Sequence, residues 1–295
     1  MEITVVLPTF RRQDSLARAL AGLAAQTTPY DLVVVDNDGS PHAPVRLPAG
    51  MPGRVVREPT PGAAAARNRG LAETRTPLVA MLDDDVVPEP GWLAALAAPV
   101  RAGRADLTGG RVVLDPDVVR PRWLAPALEG YLTALDLGPA PRPLLTRESL
   151  LTASLLTRAE LLRRTGGFAL ELGPRPGRQL VGDDVQVVRD LRAAGARAMW
   201  VPDAVVVHEL PAERLRPSWL LRRAFLQGRS DWRVDRRVLA GRRWGGARVA
   251  VGWLSGELRS RRREGLRPDV AFHTLCDLAR TGGAFAEAAS WRVAA

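Results

Sequence analysis

Two clusters of aspartates are the residues most able to do chemistry in this chain. Asp83, Asp84 and Asp85 are adjacent, and a second pair, Asp183 and Asp184, follows a glycine. Adjacent carboxylates repel one another, so a crevice that holds three of them needs a cation, and Mg²⁺ or Mn²⁺ bridging a diphosphate is the natural candidate. The alternative is a solvated loop that caps the next helix. The second pair begins a predicted helix, where capping accounts for one carboxylate and the other is a candidate general base.

Three further side chains could complete such a site. His208 ends the apolar run Val205–Val207; a histidine at a strand end is more often structural than a metal ligand. Arg67 follows small residues at positions 62–66, which allow a ligand close to the backbone. Arginine suits a diphosphate, although an exposed helix arginine is the default interpretation. Asp36 follows an apolar strand and begins a turn of polar and glycine residues.

The elements that must position these residues form an α/β pattern. Short apolar runs at Ile3–Leu7, Leu32–Val35, Arg54–Arg57 and Leu78–Leu82 alternate with helical patterns, which is typical of a mostly parallel sheet. Open sheets of this kind bind ligands beyond the carboxyl ends of their strands, where Asp36 and the acidic run fall. Residues 115–147 are rich in proline and predict loops or a lid. Further strands are predicted near Met199–Val201 and Val205–Val207, and helices thereafter.

Composition limits the possible classes. The chain has 295 residues, 46% of them hydrophobic, which permits a packed core and excludes wholesale disorder. No run approaches the length of a membrane span, the N-terminus lacks the pattern of a signal peptide, and the single Cys276 cannot form an internal disulfide. The expected location is the cytoplasm.

Positive charge is concentrated in the C-terminal third. The net charge is +10, no lysine is present, and residues 209–295 contain 18 arginines against 9 acidic residues. Five of the eight tryptophans lie in the same segment: Trp219, Trp232, Trp244, Trp253 and Trp291. Such a segment predicts contact with an anionic acceptor or the inner membrane face, with Trp232 or Trp253 at the interface. The alternative is a solvated basic face over buried tryptophans.

The order of the motifs resembles the inverting, family-two glycosyltransferases of the GT-A fold over residues 3–209. Seven segments carry this resemblance, and each one alone is a weak signal: Val5–Arg12, Val33–Asn37, Gly62–Gly70, Leu82–Pro88, Gly166–Phe168, Gly182–Asp184 and Pro202–His208. The resemblance implies a mostly parallel central sheet flanked by helices, with a helical C-terminal extension. It divides the chain into a nucleotide-sugar-binding half (1–115), an acceptor-binding and catalytic-base half (116–210) and a basic extension (211–295).

The resemblance also assigns roles around the donor. It implies that Pro8, Thr9 and Arg11 line the nucleotide pocket and that Asp36 accepts a hydrogen bond from the base, most often uracil. Arg67 would lie against the nucleotide. The expected donor is a nucleotide-diphosphate sugar, and the resemblance favours UDP as its nucleotide. The acceptor, which the sequence does not identify, is a saccharide, a lipid-linked sugar or a small natural product.

Metal binding and catalysis follow from the same resemblance. Asp85 would bind Mn²⁺ or Mg²⁺, His208 would complete the site, and either Asp83 or Asp84 would face the metal or the ribose. Asp184 would be the catalytic base of a single displacement with inversion, and Asp183 stands where the family usually has glutamate. The family often has another acid at the position of Gln186, and this departure concerns how the acceptor is oriented.

Two other classes of protein remain as alternatives. A sugar-phosphate nucleotidyltransferase has a related sheet, but usually carries a glycine-rich basic loop after the first strand, which Pro8-Thr9-Phe10-Arg11 does not resemble. A non-catalytic nucleotide-sugar-binding protein would not need both Asp184 and the acidic run. No nucleic-acid-binding motif is recognisable, so nucleic acid is not an expected partner.

Overall fold

A computed structural model of the protein describes residues 1–40, 44–175, 178–238 and 268–290. The chain forms two compact units. The first comprises Met1–Asp115, Ala134–Arg178 and Asp183–Glu209, and the second comprises Pro116–Thr133, Gln179–Gly182 and Leu210–Ala295. The predicted aspartate clusters and His208 all lie in the first unit.

A nine-stranded mixed sheet forms the centre of the first unit. Its strands are β1 (Ile3–Thr9), β2 (Asp31–Asp36), β3 (Arg54–Arg57), β4 (Leu78–Met81), β5 (Val86–Pro88), β6 (Leu107–Leu114), β7 (Arg142–Pro143), β8 (Leu155–Arg158) and β11 (Ala198–His208). Their order is β3-β2-β1-β4-β8-β6-β11-β5, with β7 also paired to β11. Two further short strands are β9 (Pro174–Arg175) and β10 (Arg178–Gln179).

Strand direction brings four carboxyl ends to one edge of the sheet. β1 is parallel to β2 and β4, and β11 is parallel to β6. Because β8 is antiparallel to both β4 and β6, those two strands point the same way. The ends of β1, β2, β4 and β11 therefore share an edge, as the sequence predicts for Asp36 and the acidic run.

The unbroken apolar runs in β1 and β2 are buried on both faces. Ile3, Val5 and Leu7 enter one hydrophobic cluster, whereas Val6 enters the other. This alternation follows from the two-residue period of a strand. Five helices belong to this unit: α1 (Gln13–Ala24), α2 (Ala63–Glu73), α3 (Trp92–Arg101), α4 (Ala159–Arg164) and α5 (Asp183–Ala193). The predicted α/β class, with a mostly parallel, mixed central sheet and flanking helices, is confirmed.

Some predicted boundaries were wrong. The two strands predicted at 199–201 and 205–207 form the single strand β11, whose register with β6 shifts between Val201 and Val205. Such an irregularity interrupts the pattern on which the prediction depended. β5 was not predicted as a separate strand, because its three residues follow the acidic run directly. The proline-rich stretch 115–147 contains a 3₁₀ turn at Pro126–Leu132 and the strand β7.

Gly70 allows helix α2, which carries Arg67, to approach β1 closely. A Cβ atom at Gly70 would lie 2.2 Å from Val6 Cγ1. We expect Gly70→Ala to introduce overpacking that costs about 1–3 kcal/mol, offset by at most about 1 kcal/mol of helix propensity. Gly130→Ala is the matched control, because no atom lies within 4 Å of its Cβ position. Urea denaturation of both variants checks this, and equal stability of the two would contradict it.

Two long helices, α6 (Pro217–Val238) and α7 (Pro268–Ser290), dominate the described part of the second unit. None of the described helices combines the length and apolarity needed to cross a bilayer. Trp232 is 1% exposed and packs with Ala284 and Ala288, so its predicted place at a membrane interface is wrong. The pairing of α6 with α7 buries the ring. Trp244, Trp253 and Trp291 lie outside the described residues.

Candidate active site

The predicted donor-site residues converge at the carboxyl edge of the sheet. Thr9 ends β1, Asp36 ends β2, and Asp83 lies two residues beyond β4. His208 ends β11, and the N–H of Glu209 donates to the carbonyl oxygen of Asp85 at 2.9 Å. This bond fixes the end of β11 beside the acidic run. Strand pairing therefore assembles residues that are far apart in the sequence.

Arg12 neutralises two members of the acidic run. Its Nη1 donates to Asp84 Oδ1 at 3.1 Å and to Asp85 Oδ2 at 2.8 Å. The hydroxyl of Thr9 donates to Asp84 Oδ2 at 2.8 Å. Burial nevertheless raises the pKa of Asp84 to about 6, because these partners do not fully replace water.

Arg67 joins the two aspartate clusters. Its Nη2 donates to Asp83 Oδ1 at 2.6 Å, and its Nη1 donates to Asp183 Oδ2. The guanidinium lies 5.7 Å from the centre of the Phe168 ring, and its buried Nε has no hydrogen-bond partner among the described residues. Although burial alone would lower the pKa of Arg67, the charges of Asp83 and Asp183 raise it. Arg67 is thus a buried, permanently charged bridge.

Asp184 differs from its neighbour Asp183 in its surroundings. Asp183 is 5% exposed and is paired with Arg67, whereas Asp184 is less buried and accepts a hydrogen bond from the N–H of Val185 at 2.7 Å. Removal from water and the adjacent charge of Asp183 raise the pKa of Asp184 well above the ordinary carboxyl range. A carboxylate with a raised pKa accepts a proton more readily, which is the property that a general base requires.

The loop after β2 is held by several side chains. Asp36 Oδ1 accepts a hydrogen bond from the N–H of Asp38. Arg11 Nε donates to Asp38 Oδ2 at 2.7 Å, and Ser40 Oγ donates to Asp38 Oδ1. These two hydrogen bonds hold the pKa of Asp38 well below its usual range. Asn37 accepts a hydrogen bond from the N–H of Gly62 at 2.8 Å. This last bond ties the loop to the start of α2, and so to Arg67.

Two of the predicted metal ligands lie near one another. His208 Nε2 is 3.6 Å from Asp85 Oδ2, and His208 is 2% exposed. Mg²⁺ and Mn²⁺ are commonly held by one or two protein side chains together with phosphate oxygens and water, and this pair fits that requirement. Asp83 points instead to Arg67. Within the described residues, no group of three or more His, Cys, Asp and Glu side chains is arranged to hold a metal.

Sequence reasoning missed two contributors to the site. It named a metal as the cation beside the acidic run and did not single out Arg12, which contacts Asp84 and Asp85 there. Asp38 was also not singled out, although it holds Arg11, whose backbone has a φ of 54°. Few non-glycine residues adopt that conformation, and nothing in the local sequence signals it. Pro8 lies within β1, opposite Val35 of β2.

Comparison with known families decides which class of protein this site belongs to. The model of "Glycosyl transferase family 2" matches residues 4–153, a range that includes the whole acidic run and Arg67. The chain belongs to this family. A "Pre-mycofactocin glycosyltransferase" of Mycobacterium tuberculosis is 32% identical over 77% of this chain and 46% of its own length. The family member described here thus spans about half the length of that relative.

More distant similarities cover most of this glycosyl transferase family 2 chain. A "Glucosyl-dolichyl phosphate glucuronosyltransferase" of Haloferax volcanii is 26% identical over 80% of this chain and 78% of its own. The crystal structure of S. aureus TarS 1-349 in complex with UDP-GlcNAc matches 95% of this chain and 91% of that one, with a TM-score of 0.54 and 14% identity. At this identity the structural match shows that the two share a fold.

Proposed function

We propose that the protein transfers a sugar from a nucleotide-diphosphate donor to an acceptor hydroxyl. The observation that carries this proposal is the joining of the two aspartate clusters by Arg67 at the carboxyl edge of the sheet. One cluster suits the donor diphosphate and its counter-ion, and the other supplies a base for the acceptor. Family membership makes this reaction the expected one for such a site.

The protein's own residues would act as follows. Asp184 accepts the proton of the acceptor hydroxyl as that oxygen attacks the anomeric carbon, in a single displacement with inversion. The carboxylate of Asp183, held by Arg67, raises the pKa of Asp184 beside it and so favours proton uptake there. Arg12 and Arg67 supply fixed positive charge beside the position of the leaving diphosphate.

Asp85 and His208 are the residues that would hold Mn²⁺ or Mg²⁺. The metal would offset the negative charge that develops on the diphosphate as it leaves. Arg12 contacts the same Asp85 oxygen that lies near His208, so a metal bound at this oxygen would compete with that contact. Asp83, on Arg67, is the weaker candidate for a metal ligand.

UDP is the proposed nucleotide. Asp36 lies at the end of β2 beside the Asp38–Arg11 pair, which suits it to accept a hydrogen bond from uracil, with Pro8 and Thr9 on the neighbouring strand. The TarS structures with UDP and UDP-GlcNAc have the same fold, which supports this choice. The names of the relatives favour two kinds of acceptor, a compound like pre-mycofactocin and a lipid-linked sugar like glucosyl-dolichyl phosphate.

A product assay tests this function against its rivals. Incubation with UDP-sugars and candidate acceptors should release a nucleoside diphosphate. Release of pyrophosphate from a sugar phosphate and a nucleoside triphosphate would instead identify a nucleotidyltransferase. Binding of UDP-sugar without release, across saccharide, lipid-linked and small-molecule acceptors, would favour a non-catalytic binding protein.

Metal dependence gives a separate prediction. We expect UDP to bind more tightly with Mn²⁺ than with a chelator, and Asp85→Ala to remove this difference while leaving metal-free binding in place. The physical reason is that Asp85 Oδ2 lies 3.6 Å from His208 Nε2. Calorimetric titration of UDP with and without Mn²⁺ measures it.

Glu73→Ala is the control for the metal experiment, because Glu73 is an acidic residue at the far end of α2, paired with Arg69. This variant should keep the full Mn²⁺ effect. Equal UDP affinity of the wild-type protein with and without chelator would contradict the proposed metal site.

A further inference from the structure

Helix α7 has an unusual distribution of polar and apolar residues. Two acidic residues face inward: Asp277 and Glu287 are 1% and 2% exposed. Two large apolar residues face outward: Leu275 and Leu278 are 51% and 48% exposed. In most helices of water-soluble domains the apolar stripe faces the core and the charged residues face water. In α7, by contrast, two acidic residues lie on the buried face beside small apolar residues, and large apolar side chains face water.

Helix α6 accounts for the buried charges. Arg229 and Arg233 both donate to Glu287, at 2.7 and 2.6 Å, and Arg280 of α7 donates to Asp231 of α6 at 2.6 Å. The ion pairs therefore lie between the two helices. They fix which face of α7 points outward, because turning the helix would separate each pair.

Glycines bring the two helices into close contact. A Cβ at Gly228 of α6 would lie 1.7 Å from the carbonyl oxygen of Arg280, and one at Gly283 would lie 1.9 Å from that of Phe225. Phe225 is therefore next to α7, and it is itself 36% exposed. It extends the apolar area from α7 onto α6.

The outward face of α7 is continuous and uncharged. Leu275, Leu278, Gly282 and Phe285 recur at intervals of three and four residues, and each is exposed. At about 100° per residue, the charged positions of the described α7 residues fall on the other side of the helix. We call Phe225, Leu275, Leu278 and Phe285 the α7 patch. They are four of the nine large hydrophobic residues exposed in the described chain.

We propose that the α7 patch docks on the surface of an anionic lipid bilayer. The charge of the segment supports this occupant, because residues 209–295 carry 18 arginines against 9 acidic residues. A helix face bearing leucine and phenylalanine enters the headgroup region, while nearby arginines are attracted to anionic lipids. Arg222, which is exposed on α6 three residues before Phe225, is one such residue.

A second copy of the chain is the less suitable occupant. The four side chains of the α7 patch leave on the order of a few hundred Å² of apolar surface in water, whereas a stable protein–protein interface buries about 800 Å² on each partner. Apolar insertion into a bilayer has no such threshold, since electrostatic attraction adds to it. This inference does not depend on the transfer reaction, and it replaces the interface role predicted for Trp232.

Vesicle co-sedimentation of the full chain tests the inference. We expect binding to vesicles of phosphatidylcholine with phosphatidylglycerol, weak binding to phosphatidylcholine alone, and loss of binding in high salt. The triple variant Leu275→Gln, Leu278→Gln, Phe285→Gln should bind at least about tenfold more weakly. The control changes three even more exposed hydrophobic residues elsewhere, Val119, Leu145 and Leu170, to glutamine and should bind as the wild-type protein does.

A single-site probe covers the case in which the triple variant does not fold. The chain's one native cysteine, Cys276, is buried, so a cysteine placed at the exposed position of Leu278 can be labelled selectively with an environment-sensitive fluorophore. Its emission should shift to the blue with anionic vesicles. The same label in Leu145→Cys should not respond.

Three results would overturn the proposal. The first is no binding of the wild-type protein to anionic vesicles at low salt. The second is undiminished binding of a folded triple variant, which would assign the attraction to the arginines alone. The third is a dimer in light scattering that the triple variant dissociates, with vesicle binding unchanged. Nucleoside diphosphate release without vesicles should be equal in all variants, so a failure of docking and a failure of the proposed transfer reaction are distinguishable.

Discussion

Replacing Asp184 with asparagine is expected to lower glycosyl transfer by roughly 10²–10⁴ and to leave the affinity for UDP nearly unchanged. Asparagine has the shape of aspartate but cannot take up the acceptor's proton. Asp184 has no ion-pair partner in the described site comparable to the Arg67 that holds Asp183, so the change breaks no buried ion pair. Rates of UDP release at saturating donor, with calorimetric UDP affinity, measure both parts of the prediction.

The pH dependence adds a second readout. Burial and the charge of Asp183 raise the pKa of Asp184, so the base is protonated and inactive at acidic pH. Transfer should rise with pH through a pKa above the ordinary carboxyl value of about 4, and this rise should be absent in Asp184→Asn. If the pH dependence of transfer were unchanged in Asp184→Asn, it would be due to a different ionisable group.

The contribution of Asp184 to folding stability should fall as pH rises through this range, whereas transfer activity rises. A carboxyl whose pKa is higher in the folded state binds more protons there than in the unfolded state, so it lowers stability as pH rises through that window. Asp184→Asn should therefore be at least as stable as the wild-type protein at neutral pH. Asp183→Asn is the matched comparison, because it removes a partner of buried Arg67 and should lose stability. An inactive Asp183→Asn variant of normal stability, beside an active Asp184→Asn, would reverse the two assignments.

The sequence was sufficient to predict that the candidate residues gather at one edge of the sheet. Apolar runs ending in Asp36 and at Asp83 follow from strand periodicity and from the rule that ligands bind at carboxyl ends of parallel strands. The partners of each side chain were not predictable. Arg12 reaches Asp84 and Asp85 only because β1 and β4 are neighbours in the sheet, a pairing between distant residues that local patterns do not contain.

In the C-terminal part, too, the contacts of individual side chains were not predictable from the sequence. Composition indicated a basic helical segment, and α6 and α7 are helices. Composition could not tell which face of each helix is buried. The tryptophan expected at an interface is inside, and the leucines of α7 are outside, because the ion pairs to Glu287 and Asp231 fix how the helices pack.

Among the site residues, Arg67 is expected to contribute most to the stability of the fold. Replacing it in Arg67→Met should cost about 3–5 kcal/mol of folding stability. The variant keeps the length of the side chain but leaves Asp83 and Asp183 close together without their shared cation. Arg69→Met is the matched control, since Arg69 lies on the same helix, is 42% exposed and pairs with Glu73 one turn away. Removing an exposed pair of this kind costs about 0.3–0.5 kcal/mol. Urea denaturation of the two variants measures the difference.

A double variant would show that the loss in Arg67→Met arises from the unpaired carboxylates. Without Arg67, Asp83 and Asp183 lie close together with no shared cation, so removing one of the two charges should relieve their repulsion. Adding Asp183→Asn to Arg67→Met should then restore part of the stability at neutral pH, although Asp183→Asn alone is destabilising. Simple addition of the two losses would mean that Arg67 stabilises the fold through packing against Phe168 rather than through charge.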